Sequence, residues 1–318
     1  MLATHAFARL GRLVTALVLA AALVPAAARA SSTPAAPKPD YSGWQLLLSR
    51  YCLSLPGKSP LQDTRFDYEQ LYVDENIWTL KRSDRLARIR AQLLATPPSA
   101  LEPRERLAWA LNTYNFLVVE QATLHLLVPG RQFLRYQSPN DIVIEGAPFF
   151  RSPIVTIEGR ELSIEEFGRR YVYGDSTPQL EFRATPGDPR LAFAMCMGYA
   201  GGAPLAPRAF RTDSLEAQLD QCVRRALAQP RFATADPRTG ELVLSEFLSD
   251  HRVDFGGDPN RAIPFVEKHT SGDVKSVIRK FKLTAATRFA PVDTRFNQFE
   301  RPKTAPPVRP AGAPSAGS

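Results

Sequence analysis

Apolar residues recur at helical spacing along most of this chain, and one stretch is apolar almost all the way round. That stretch, Leu107–Val119, predicts a buried helix. Pro103 suits its first turn and Pro129-Gly130 stop it, so it should run to about Val128. Upstream, Tyr41–Leu55 reads as an amphipathic helix. Leu61–Tyr72 contains a short extended segment at Arg65-Phe66-Asp67-Tyr68. Ser83 should cap a helix carrying Leu86, Ile89, Leu93 and Leu94, which Pro97-Pro98 terminates.

Downstream the pattern changes toward strands. Ile154–Ile157 and Arg160–Leu162, joined at Glu158-Gly159, predict a hairpin. Ser163 and Glu166 form the sequence signature of a capping box opening a helix. Leu191–Cys196 is an apolar run of the kind found in buried strands, and a loop rich in Gly and Pro follows from Met197 to Pro207. Thr212–Ala228, Ser245–His251, Ala262–His269 and Asp273–Phe281 read as helices, with strands at Glu241–Leu244 and Ala285–Ala290. No internal repeat is present. Helices first, then strands mixed with helices, predict an α+β fold.

The ends of the chain have a different character. Arg9 and Arg12 precede the apolar stretch Leu13–Val24, and Ala28-Arg29-Ala30 gives the small-x-small pattern of a signal-peptidase site, so residues 1–30 read as a signal peptide. The apolar run is shorter than the roughly 20 residues that span a bilayer. The expected destination is therefore the periplasm or the exterior, with no transmembrane segment after cleavage. Residues 31–40 read as a linker, 41–298 as one globular domain, and 299–318, rich in Pro, Ala and Gly, as a disordered tail. Losing Arg9, Arg12 and Arg29 with the signal lowers a formal charge of +8 by three, and the remaining mild basicity is spread along the chain. That argues against a nucleic-acid partner.

Candidate chemistry is sparse. Cys52, Cys196 and Cys222 show no metal-ligand spacing, permit at most one disulfide, and call for neither metal nor cofactor. Cys222 shares a helix stripe with Leu215, Leu219 and Ala226, and Cys52 follows Leu46–Leu48 on a short helix, so both read as core residues. Cys196 enters the glycine-rich loop, where His251 is the best-placed base for a nucleophilic thiol; His125, within the long helix, suits a core or helix-end role, and His269 a solvated helix C-terminus. Glu165 and Glu166 belong to a capped first turn, and Gly201-Gly202 lacks the Lys-Ser/Thr of a nucleotide loop. The central helix also carries Asn112 and Asn115, three residues apart and therefore on one face. Buried amides need partners. Together with Tyr114 they could line a ligand cleft or brace the backbone of the Cys196 loop, including Gly198 and Gly201; a structural brace is the stronger reading.

Several of these segments in order resemble the bacterial and plant proteins built on the domain of unknown function numbered 547. They are Arg65–Tyr68, Leu107–Val118 with its Asn112-Thr113-Tyr114-Asn115, Ile157–Glu166, Asp188–Cys196, Pro204-Leu205, Gln218–Asp220, Leu244-Ser245, Asp254-Phe255 and Pro291–Asn297, covering about Tyr41–Gln298. The resemblance implies a papain-like or transglutaminase-like core, a central buried helix on a small antiparallel sheet. In that family a histidine usually stands just before Phe193 and a Cys-Pro closes the loop; this chain has Ala192 and Gly202-Ala203 instead, and Val292 and Thr294 where aromatics are usual. The expected role is binding of a small molecule or envelope protein in a cleft between the Asn112/Asn115 helix and the Cys196 loop. A cysteine-dependent hydrolase or acyltransferase using Cys196 with His251, and a structural envelope domain, are the alternatives.

Overall fold

A single buried helix organises the fold. The computed structural model describes residues 38–56, 61–76, 84–131, 134–174 and 187–301, so the expected signal peptide, most of the linker, Ser83 and the tail beyond Arg301 lie outside the described residues. The buried helix, α4 (Pro103–Leu124), has Pro103 in its first turn, and every residue from Ala108 to Thr123 is buried. Its 22 residues make it about 33 Å long. It ends four residues sooner than the pattern predicts, because the backbone turns to strand-like pairing: Val128 N–H donates to Leu134 O (2.8 Å) and Tyr136 N–H to Leu126 O (3.0 Å).

Before α4 lie α1 (Ser42–Tyr51), β1 (Cys52–Ser54), β2 (Thr64–Phe66), α2 (Tyr68–Asn76) and α3 (Arg85–Leu94). α1 is shorter than expected. Cys52 leaves it in extended conformation and pairs with Phe66 across an antiparallel ribbon, so this cysteine is a strand residue and not a helical one. Asp67 N–H then donates to Tyr51 O (2.9 Å), closing the corner. α3 rests on α4 through Trp109, whose indole N–H donates to Leu93 O (2.6 Å). Arg90 of α3 donates through Nε to both oxygens of the buried Glu120 (3.0 and 3.1 Å) and through Nη1 to Ile154 O (2.7 Å).

After α4 come two antiparallel ribbons, β3 (Val143–Ile144) with β4 (Ala147–Pro148), and β5 (Pro153–Ile157) with β6 (Arg160–Ser163). The second is the predicted hairpin; Glu158 and Gly159 both take positive φ at its turn. The capping box forms as read: Ser163 Oγ accepts from Glu166 N–H (3.2 Å) and Glu166 Oε2 from Ser163 N–H (2.8 Å). It opens α5 (Ile164–Phe167), which widens into a π-helical turn over Gly168–Val172. Phe167 and Tyr171 pack on Trp109 with ring centroids 5.5 and 5.4 Å away.

The run Leu191–Cys196 is not a strand. Arg190–Ala194 form a short helix, α6, with Leu191–Ala194 all buried. An apolar run of six residues fits a buried helical turn as well as a strand. The start of the segment decides: Asp188 accepts from Arg190 N–H (2.9 Å), and Arg190 ion-pairs with Asp188, Glu216 and Asp220. The two acids Glu216 and Asp220 lie on α7 (Leu215–Leu227). The remaining elements are β7 (Ala233–Ala235), β8 (Leu242–Ser245), α8 (Glu246–Asp250), α9 (Ile263–His269), α10 (Gly272–Phe281) and β9 (Arg288–Ala290). β8 pairs with β7 antiparallel and with β9 in parallel. The protein is thus α+β, its strands among the described residues divided among four small sheets. No helix among the described residues is long and apolar enough to cross a membrane.

Phe193 anchors the second half of the core, its ring 5.2 Å from Phe247 and 5.8 Å from Phe265. Replacing it with alanine should cost about 3–5 kcal/mol, since the surrounding helices can collapse only partly into the void. A urea titration should show a lower midpoint at unchanged slope.

Candidate functional site

The two asparagines of α4 are fully buried, and both are spent on backbone. Asn115 Nδ2 donates to Ala194 O (2.9 Å) while its Oδ1 accepts from Cys196 N–H (2.7 Å). Asn112 makes the same two bonds to one residue, donating to Phe210 O (2.8 Å) and accepting from Phe210 N–H (2.8 Å). An amide offers one donor and one acceptor side by side, so each side chain pairs with chain as a neighbouring strand would. Although they share a face, they hold the two ends of the loop: its entry after α6 and its exit before α7.

Between those ends the loop is covered by the chain's own C-terminal segment. Asn297 N–H donates to Gly198 O, Ala200 N–H to Arg295 O and Gly201 N–H to Asp293 O, each 2.7 Å. Gly198 adopts φ +71°, and a Cβ on Gly201 would stand 2.4 Å from the Asp293 nitrogen, so glycine is required at both for different reasons. Tyr114 is buried with its ring against Gly168 of the π-turn, and burial pushes its hydroxyl well above the ordinary range. Asn115, Cys196 and Gly198 therefore meet at the loop entry, Gly201 lies under the C-terminal segment, and Asn112 serves Phe210.

The thiols are free, buried and protonated at neutral pH. Burial pushes Cys52 up to about 12 and Cys196 and Cys222 up to about 11. The Gly198 N–H, 3.3 Å from Cys196 Sγ, offsets only part of that rise. His251 sits at the end of α8, 8% exposed, with Nδ1 2.9 Å from Phe247 O and its ring stacked 4.4 Å from the Phe247 ring. His125 caps α4, and His269 ends α9 with Nδ1 2.8 Å from Phe265 O; burial lowers the pKa of both. Among the described residues no group of three or more His, Cys, Asp or Glu is placed to hold a metal.

The braced segment opens onto a groove that the hydropathy pattern does not reveal. Its backbone from Ala209 to Arg211 is clamped by amides from three helices: Gln45 of α1 accepts from Ala209 N–H (2.9 Å), Asn112 of α4 holds Phe210, and Gln218 of α7 donates to Ala209 O (2.9 Å) and accepts from Arg211 N–H (2.8 Å). Opposite it runs one stripe of α7, Ser214, Ala217, Gln218, Gln221, Cys222 and Arg225, and between them lies a cavity of about 520 Å³. The signal available in the sequence was Arg225, a charge set three residues after Cys222 on an otherwise apolar stripe. A smaller cavity of about 270 Å³ lies where Ala200 meets the C-terminal segment, lined by Arg65, Arg135 and Arg295 together with the carboxylates of Asp293 and Glu300.

The arrangement is that of an α+β protein whose central helix braces a loop by side-chain amides. Residues 98–225, spanning α4 through most of α7, match the model described as "Protein of unknown function, DUF547", and this match supports assigning that part of the chain to the family. No curated protein and no solved structure matches the chain.

Replacing Asn115 with alanine should leave the buried Cys196 N–H and Ala194 C=O without partners, at a cost of about 2–5 kcal/mol in a denaturant titration, with a similar cost for Asn112→Ala. Stability should also fall in mild alkali. The thiols are neutral in the folded protein up to about 11, whereas in the unfolded chain they ionise near 8.5. Their contribution is therefore complete below about pH 8.5 and is lost as pH rises toward 11. Thermal melts across that window, compared with a Cys196→Ala variant, should show a shallower decline in the variant.

Proposed function

We propose that this chain is an exported binding protein of the cell envelope, with a papain-like core put to use for ligand capture and not for thiol chemistry. Its small-molecule site is the groove between α7 and the Ala206–Arg211 segment. The observation that carries this reading is the triple amide clamp on Ala209–Arg211. Three side chains from three helices fix a short segment whose other face lines a cavity of a size suited to a small ligand. A rigid wall of this kind lowers the ordering cost of binding. Asn112 and Asn115 then act behind the site as braces, and Tyr114, Gly198 and Gly201 hold the loop in its course.

Nucleophilic use of Cys196 is disfavoured on physical grounds. A thiol pushed to about 11 is almost wholly protonated at pH 7, and the attacking species is the thiolate. The export signal and the envelope setting rest on residues 1–30 of the sequence.

Two measurements test the proposal. Iodoacetamide at pH 7.5 should leave Cys196 unmodified in the native protein and label it only in denaturant. Screening the full chain against a fragment library of neutral and charged compounds by ligand-observed NMR should give hits that Ala217→Trp, an exposed position on the groove wall, abolishes. Rapid native labelling of Cys196, or hits indifferent to Ala217→Trp, would refute the reading.

A further inference from the structure

The α7 groove has an unusual electrostatic character. Its lining contains Arg208, Arg211 and Arg225 and no acidic residue. Arg225 is 8% exposed, yet among the described residues its guanidinium meets no carboxylate and no hydrogen-bond acceptor, and its Nε is fully enclosed. A buried cation without a counter-charge is among the costliest arrangements a protein can hold. The thiols of Cys52 and Cys222 feel its charge, and both are neutral. Other buried or half-buried arginines are served: Arg90 by Glu120, Arg231 by Asp63 through both terminal nitrogens.

Two further features point the same way. Arg208 is exposed beside the groove, and Arg211 reaches its nearest acid, Asp213, only at 3.4 Å on the open surface.

Resting on the pocket reading above, we infer that the groove binds a small molecule carrying a carboxylate or phosphate, with that oxyanion seated on Arg225. The planar guanidinium fork suits the two oxygens of such a group. Gln221 offers hydrogen bonds to a neutral polar remainder, and Ala206, Pro207, Ala209 and Ala217 form apolar walls. Asn112, by holding Phe210, fixes the direction in which the flanking Arg211 leaves the backbone.

The test uses the full chain, titrated by calorimetry with inorganic phosphate, with succinate, and with neutral succinamide in chloride-matched buffer. At least one anion should bind saturably, at least tenfold more tightly than succinamide and more weakly at high salt; the tighter of the two identifies the group. Arg225→Met should weaken that anion at least tenfold while the melting temperature of the free protein stays level or rises, because an unpartnered buried charge has been removed. A residue that merely packs its stem would instead lower the melting temperature. Should Arg225→Met not fold, Arg208→Gln at the exposed position should still weaken the anion severalfold. Equal binding of succinate and succinamide, unchanged anion affinity in Arg225→Met or in Arg208→Gln, or no anion binding at 10-fold millimolar excess would overturn the assignment. Neutral fragments that still compete with Ala217→Trp sensitivity would leave the pocket reading standing and remove only its charge preference.

Discussion

Two amide groups inside an apolar helix set the course of the chain from α6 to α7. Everything between Ala194 and Phe210 must cross the core helix without regular secondary structure, and backbone that crosses a dry interior has to find hydrogen-bond partners. Asn115 supplies them at the entry and Asn112 at the exit. Aspartate would offer acceptors only and leave Ala194 O or Phe210 O without a donor. Glutamine would add a methylene where there is no room. The preference is therefore for asparagine at both positions, despite its mediocre helix propensity.

From those two anchors the consequences spread outward. Fixing Cys196 places Gly198 and Gly201 where the C-terminal segment can pair with them, and that segment in turn reaches Phe66 on β2, whose N–H donates to Asn297 O (2.9 Å) and whose O accepts from Phe299 N–H (2.9 Å). Residues near the two ends of the described chain are thus joined through the loop. Fixing Phe210 leaves Arg208 and Arg211 on either side of it at the edge of the α7 groove. The same pair of side chains shapes an interior contact and an exterior surface.

Much of this was legible before the structure. The central helix, the Glu158-Gly159 hairpin, the Ser163/Glu166 box and the helices from α7 to α10 follow from local pattern, because each combines a clear period with an explicit start or stop signal. The segments that misled lack such signals. Leu191–Cys196 is apolar without period, and its helical turn is imposed by Asp188 and by the pairing of Arg190 with α7, a contact between distant positions. Cys52 looked helical because Leu46–Leu48 precede it, yet its partner across the ribbon is Phe66. The face carrying Asn112 and Asn115 could be read from spacing, but their separate targets at Ala194, Cys196 and Phe210 could not. The groove was hidden for the same reason: its far wall comes from residues that sequence reading assigned to a loop.

The position of the thiols ties the groove to the question of chemistry. Arg225 lies close enough to Cys52 and Cys222 to lower both, and burial nevertheless prevails, leaving them near 12 and 11. An oxyanion on Arg225 would cancel part of that favourable positive charge and hold the thiols still more firmly in the neutral form. Anion binding at Arg225 and thiol ionisation would thus oppose one another, and by linkage each would weaken the other. A groove arranged in this way is suited to holding an acid, and it works against generating a nucleophile beside one.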